Sequence, residues 1–164
     1  MLVQPTVVQR GEQHYVAMRG IVTMDTVGAI ADRLPELFAW LGAQGVAPAG
    51  APFFKYNLID MERQLEMEAG IPLAEPIPMA GDVIAGVLPA GRYATIRHRG
   101  HPDELVHVTA DLLDWADDLG LRWDMVDTPE GEHWGGRLEF YLTDPAIEPD
   151  MSRWETELAF KLAD

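Results

Sequence analysis

The chain has 164 residues, 48% of them hydrophobic, with 27 acidic against 12 basic side chains, no cysteine and a formal net charge of −15. Such a length and composition fit a single domain with its own core. The lack of cysteine excludes disulfide and thiolate chemistry, and the charge disfavours direct nucleic-acid contact, because phosphates would be repelled.

The N-terminal MLVQPTVVQRGEQHY lacks the basic-then-apolar order of a signal peptide. No run approaches the roughly 20 apolar residues of a membrane helix, so a cytoplasmic protein without membrane contact is expected. Taken in chain order, the first strand is expected near 13–22. Val27, Ile30, Leu34, Leu37, Phe38 and Leu41 then fall at helical spacing. Pro35 interrupts them, so the helix either kinks there or becomes regular near Asp32. VAPAGAP at 46–52 is a turn-rich connector to strands near 53–59 and 63–71, and PLAEPIPMAG at 72–81 reads as a linker. Strands near 82–88 and 91–98 follow. Leu105, Val108, Leu112, Trp115, Ala116 and Leu119 mark a second helix, with Pro102 in its first turn and Gly120 at its C-terminal cap. A loop around Pro129–Trp134 separates this helix from strands near 137–143 and 153–162.

The chain also repeats itself. At an offset of 75 residues, Glu36-Leu37-Phe38-Ala39-Trp40-Leu41 and Gly45 meet Asp111-Leu112-Leu113-Asp114-Trp115-Ala116 and Gly120. The same offset pairs Ala17–Ile21 with Arg92–Ile96, and an offset of 84 pairs Phe54–Asp60 with Leu138–Asp144. Order, type and spacing agree across three elements. The expected fold is therefore α+β: duplicated β-α-β-β halves, about 1–75 and 82–164, related by a pseudo-twofold axis. Each half carries one main helix, and two antiparallel sheets enclose a central groove.

Within GRLEFYLTDP, Leu138, Phe140 and Leu142 share one strand face, and Glu139, Tyr141 and Thr143 share the other. The second face is either solvated or lines that groove. Glu66 with Glu68, and Glu155 with Glu157, alternate with apolar residues in the same way. Solvent is their simplest environment, but Glu68 could reach the groove and form a carboxylate pair with Glu139, raising a pKa enough for acid–base work.

These stretches carry a resemblance. AGVLPAGRYATIRHRG at 85–100, LLDWADDLGL at 112–121, RLEFYLTDP at 137–145 and WETELAFKL at 154–162 resemble the GyrI-like small-molecule-binding domain, the effector-binding domain of AraC- and MerR-type drug-responsive regulators. APFFKYNLID at 51–60 and LEMEAGIPL at 65–73 fit it as well, so the likeness spans nearly the whole chain. It implies a duplicated domain that binds bulky aromatic, often cationic, compounds in its groove. Glu139 falls on the family's pocket acid, and Tyr141 and Tyr93 on its aromatic positions. No helix-turn-helix precedes the repeat, which is not expected in a complete regulator of that type. Lys55 is the first-half counterpart of Glu139; on the same groove it would pair with that acid and lower the taste for cations.

A groove with an acid and aromatic rings suits a flat cation. Candidate rings are Tyr56, Tyr93, Tyr141, Trp40, Trp123 and Trp134. Trp40 and Trp115 sit on amphipathic helices and suit core packing, whereas Trp134, in the Gly-rich loop, suits a mobile lid. His98 and His101 span a strand end without a third ligand, so no metal is implied; no phosphate-binding glycine loop calls for a cofactor, and Ser152 is the only serine. Three functions remain open. One is sequestration or sensing of a drug-like molecule. A second is hydrolysis of strained cyclopropane-bearing alkylating compounds through Glu139. The third is a gyrase-inhibitor-like role against a basic protein surface.

Overall fold

The computed structural model describes residues 4–23, 25–60, 62–78 and 80–163. Among these residues, ten strands form one antiparallel sheet, joined by two main helices. The strands are β1 (Thr6–Arg10), β2 (Gln13–Val22), β3 (Phe53–Asp60), β4 (Gln64–Pro72), β5 (Val83–Leu88), β6 (Gly91–Arg99), β7 (Met125–Thr128), β8 (Gly131–Trp134), β9 (Arg137–Tyr141) and β10 (Glu155–Lys161). A short α1 (Gly28–Ala31) precedes α2 (Arg33–Ala43), and α3 (Leu105–Asp118) lies between β6 and β7.

The strand order is β1-β6-β10-β9-β3-β4-β2-β5, with the β7–β8 hairpin added on β3. It divides at β9–β3 into two groups of four with matching internal order, the arrangement a duplicated unit would produce. The two groups are continuous through that pairing. Each outermost strand belongs in sequence to the other group, since β5 pairs with β2 and β1 with β6. The sequence reading missed β1 and β7, and it took 129–134 as loop where β8 is a strand. The segment 72–81 is more than a tether: Leu73 is buried, and its amide donates to the His14 carbonyl at 2.8 Å.

Both helices cover the same face of the sheet. Leu37 and Leu41 of α2 pack with Val16, Met18 and Ile71, while Leu105 and Leu112 of α3 join Ala94, Leu158 and Phe160. These strand residues share one pleat phase through the registers Val16↔Ile71, Met18↔Ala69, Phe54↔Ala69, Phe54↔Glu139, Glu139↔Leu158 and Ile96↔Leu158. Tyr15, Phe53, Tyr93, Leu138 and Ala159 form a separate cluster on the opposite face.

The helix ends are local chemistry. α2 begins after Asp32, which places Pro35 in its first turn, where a missing N–H costs no helical bond. Before α3, His101 Nδ1 accepts from the Asp103 amide at 3.1 Å, and Glu104 Oε1 accepts from the His101 amide at 3.1 Å, a reciprocal capping box. Both helices stop at a glycine in left-handed backbone, Gly45 with φ 70° and Gly120 with φ 72°.

The offset of 75 thus aligns the helix ends, but in the strands it pairs Met18, packed beneath α2, with Tyr93 on the opposite face. The offset of 84 similarly pairs Lys55 with Glu139, although the register sets Lys55 opposite Leu138 and Phe54 opposite Glu139. A slip of one residue reverses every side chain of a strand, so neither offset transfers facing.

Candidate small-molecule site

β9 lies at the middle of the sheet, between β3 and β10, where the registers bring four side chains onto the helix-bearing face. Glu139 is flanked by Phe54 and Leu158, Tyr141 faces Thr156, and Arg137 faces Phe160. Tyr56 reaches the same spot from β3. Its hydroxyl donates to Glu139 Oε2 at 2.9 Å, and the Tyr141 hydroxyl donates to the same oxygen at 2.7 Å. Burial pushes the Glu139 pKa above its ordinary value, opposed by these two hydrogen bonds and by the positive charge of Arg137. Both phenols are pushed well above the ordinary 10.0, chiefly by burial and then by the neighbouring carboxylate, so they remain donors at neutral pH.

Behind the acid, the Arg137 guanidinium lies in a box of rings, 4.6 Å from the Phe160 centroid, 4.7 Å from Trp134 and 5.9 Å from Tyr56. Its pKa is lowered by burial, against the raising effects of Tyr56, Glu132 and Glu139. Its Nε has no hydrogen-bond partner among the described residues. Trp134 is fixed in turn by Trp123 at 5.7 Å, and its indole N–H donates to Glu132 Oε1 at 3.2 Å.

In front of the acid, a groove of about 930 Å³ opens between α2 and the loop that follows β9. Leu34 and Phe38 form one wall, Phe54 and Tyr141 lie at its base, and Trp154 and Thr156 stand beyond. Phe38 and Leu142 remain exposed at 40% and 37%, large apolar surface left at the groove without a cover. Tyr141 is thus both a groove residue and a donor to Glu139. The volume lies in the range of drug-sized pockets, roughly 300–1,000 Å³.

Of the residues singled out from sequence, the structure brings together Glu139, Tyr141, Tyr56, Trp134 and Trp123. The others lie elsewhere. Lys55 and Glu68 face the other side, paired at 3.5 Å, with Glu68 also accepting from Tyr15 at 2.8 Å and Asn57 at 2.6 Å. Lys55 therefore does not meet Glu139, and Glu68 forms no carboxylate pair with it. Tyr93 also faces that side, its hydroxyl donating to the Pro89 carbonyl at 2.6 Å, beside a pocket of about 470 Å³ that Arg10 and Gln13 also line. Trp40 packs on α2 against the Val16–Met18 cluster. Trp134 is on β8 and 6% exposed, so it is no loop lid; its ring is clamped between Trp123, Phe160 and Arg137.

Sequence reading missed Arg137, Phe54, Thr156 and the α2 wall. For Arg137 a signal existed: it is two residues before Glu139 on the same strand, hence on the same face. For the wall residues none existed, since Leu34 and Phe38 read as ordinary core.

A helix-flanked apolar groove on one face of a curled antiparallel sheet, with a hydrogen-bonded carboxylate behind its base, defines a small-molecule-binding class of α+β domain. The chain belongs to the GyrI-like small molecule binding domain family, whose model matches residues 3–163. No curated protein sequence matches it.

Among solved structures, the EcmrR C-terminal domain is similar over 100% of this chain and 99% of its own, with 20% identity and a TM-score of 0.79. In the complex of EcmrR with DNA, this chain spans 59% of the EcmrR length. SAV2435 bound to tetraphenylphosphonium is similar over 99% of this chain and 94% of its own, with 10% identity and a TM-score of 0.67. A hydrolase from Listeria innocua is similar over 98% of this chain and 92% of its own, with 14% identity and a TM-score of 0.64. No helix among the described residues is long and apolar enough to cross a membrane.

Proposed function

We propose that the groove between α2 and the post-β9 loop binds a bulky aromatic, drug-like molecule, for sequestration or sensing, with Glu139 as its polar anchor behind Tyr141. The observation that carries this reading is the coupling of two features: an apolar groove of about 930 Å³ and a carboxylate held just behind its base by two phenols. An apolar groove alone gives affinity without orientation, whereas the acid gives a direction to polar or charged ligand atoms. The tetraphenylphosphonium bound to SAV2435 supports a ligand of several rings. A hydrolytic reading of the same groove, against strained cyclopropane-bearing alkylating compounds, rests on Glu139. Burial raises its pKa, which makes the carboxylate a better proton acceptor, and its Oε1 accepts no hydrogen bond among the described residues.

Binding is tested by titrating polyaromatic compounds, tetraphenylphosphonium included, and following melting temperature and tryptophan fluorescence. A ligand at 100 times its Kd adds about 2.7 kcal/mol of stability. Leu34→Trp, which fills the groove, is expected to abolish the shift. Glu139→Gln is expected to weaken a polar or cationic ligand by about 1–3 kcal/mol, and to stop turnover while keeping binding if the groove is hydrolytic. A panel with no binder, or a Leu34→Trp variant that binds like the wild type, overturns the assignment.

A further inference from the structure

The geometry points to Arg137 as a resident cation in a built aromatic cage, and to this occupancy as the determinant of which ligand charge the groove accepts. The inference rests on the groove reading above for its consequence, but not for the cage itself. The guanidinium stands at 4.6 Å and 4.7 Å from the centroids of Phe160 and Trp134, distances at which a cation is drawn to a ring quadrupole. Tyr56 adds a third ring at 5.9 Å and is the same residue that donates to Glu139. The rings are not free to leave. Phe160 is 1% exposed, Trp134 6%, and Trp123 braces both at 6.0 Å and 5.7 Å.

Two details separate this arrangement from an ordinary buried ion pair. Arg137 Nε has no hydrogen-bond partner among the described residues, although an arginine chosen to clamp a carboxylate uses its planar fork. Glu139 takes its hydrogen bonds from Tyr56 and Tyr141 instead, so the guanidinium balances it through space and not by contact. A cation cage and an acid thus lie side by side, and the protein supplies its own cation. A permanent cation entering the groove meets an acid already answered, together with a second positive charge behind it. A neutral aromatic molecule meets no such opposition at the groove base, where Tyr141 stands between it and Glu139. In this groove Arg137 sets the preference toward neutral polyaromatic compounds. Its loss would leave an empty cage next to an unbalanced carboxylate, the combination that selects cations.

The test has two arms. In the first, Arg137→Ala is titrated with millimolar methylguanidinium, followed by the indole signals of Trp134 and Trp123 in NMR. Saturable shifts in the variant, and none in the wild type, are expected. A folded variant whose indoles do not respond overturns the cage. Should Arg137→Ala not fold, the wild type itself decides: the Arg137 side-chain Nε–H proton must resonate upfield under the ring currents and move when Trp134 is changed to leucine, and an ordinary position overturns the cage. In the second arm, methyltriphenylphosphonium and neutral triphenylphosphine oxide, nearly the same shape, are titrated against wild type and Arg137→Met. The cation-to-neutral affinity ratio is expected to rise at least tenfold in the variant. An unchanged ratio, with both probes bound, overturns the selectivity and leaves the groove standing. Failure of both probes to bind either protein overturns the groove reading and the selectivity with it, while the methylguanidinium arm still decides the cage.

Discussion

At Glu139 opposing effects meet on one side chain. Burial opposes its charge, and two phenols and a guanidinium favour it; burial is the largest effect, so the folded pKa lies above the ordinary 4.5. The sign of the linkage follows. A carboxyl raised on folding is preferred protonated in the folded state, so its penalty is absent below the unfolded-chain pKa. The penalty grows as pH rises from there to the folded pKa and is complete beyond it. Glu139→Gln, which cannot ionise, is therefore expected to melt at or above the wild-type temperature at neutral pH, with the gap closing as pH falls toward about 4.5 and absent below it. Melting curves from pH 3.5 to pH 8 check this. A wild type that is the more stable protein at neutral pH, and loses that advantage in acid, would show that the hydrogen bonds outweigh burial. Tyr141→Phe removes a donor to the charged form, so it is expected to widen the neutral-pH gap between the Tyr141→Phe protein and its Glu139→Gln double variant.

Paired strands decide which of two neighbouring acids has which surroundings. β3 and β4 place Lys55 beside Glu68 on the face away from the helices, while β3 and β9 place Phe54 beside Glu139 on the face beneath them. The Lys55–Glu68 pair is nearly closed to solvent, at 13% and 4% side-chain exposure, and Tyr15 and Asn57 satisfy both carboxylate oxygens. Removing one member of such a pair leaves a buried uncompensated charge, at a cost of about 3–5 kcal/mol. Lys55→Met is therefore expected to lower the urea midpoint by that equivalent while leaving ligand affinity of the remaining folded protein unchanged. Altered ligand charge preference in Lys55→Met, without loss of stability, would return Lys55 to the groove.

A net charge of −15 acts on the whole molecule. Self-repulsion among like charges opposes compaction and is screened with a Debye length of about 10 Å at 0.1 M ionic strength. Melting temperature is expected to rise when salt increases from 10 to about 150 mM, and a fall would mean that specific ion pairs outweigh net repulsion. Much of this architecture was legible in the sequence. Helical periodicity over Leu105–Leu119, the glycine stops at Gly45 and Gly120, and the alternation that separates Leu138 from Glu139 are local, and local steric rules suffice to read them. The likeness of the two halves and the family resemblance were legible as well, because both are patterns of residue type along the chain. Facing was not. Whether Lys55 meets Glu139 depends on the pairing of β3 with β9, a contact between segments 83 to 87 residues apart, and a shift of one residue reverses the answer. Trp134 read as a loop residue because, among the described residues, its own strand partner is Met125 of the hairpin alone, while His133 beside it pairs with Leu58 of β3. The groove wall of Leu34 and Phe38, and the cage around Arg137, exist only once distant segments are packed together. Both main helices, their glycine stops and the alternation along the longer strands follow from neighbours in the chain, whereas β1 and the β7–β8 hairpin do not. Tertiary structure alone decided which acid is balanced by which cation, because that balance is set by distance and burial across the sheet.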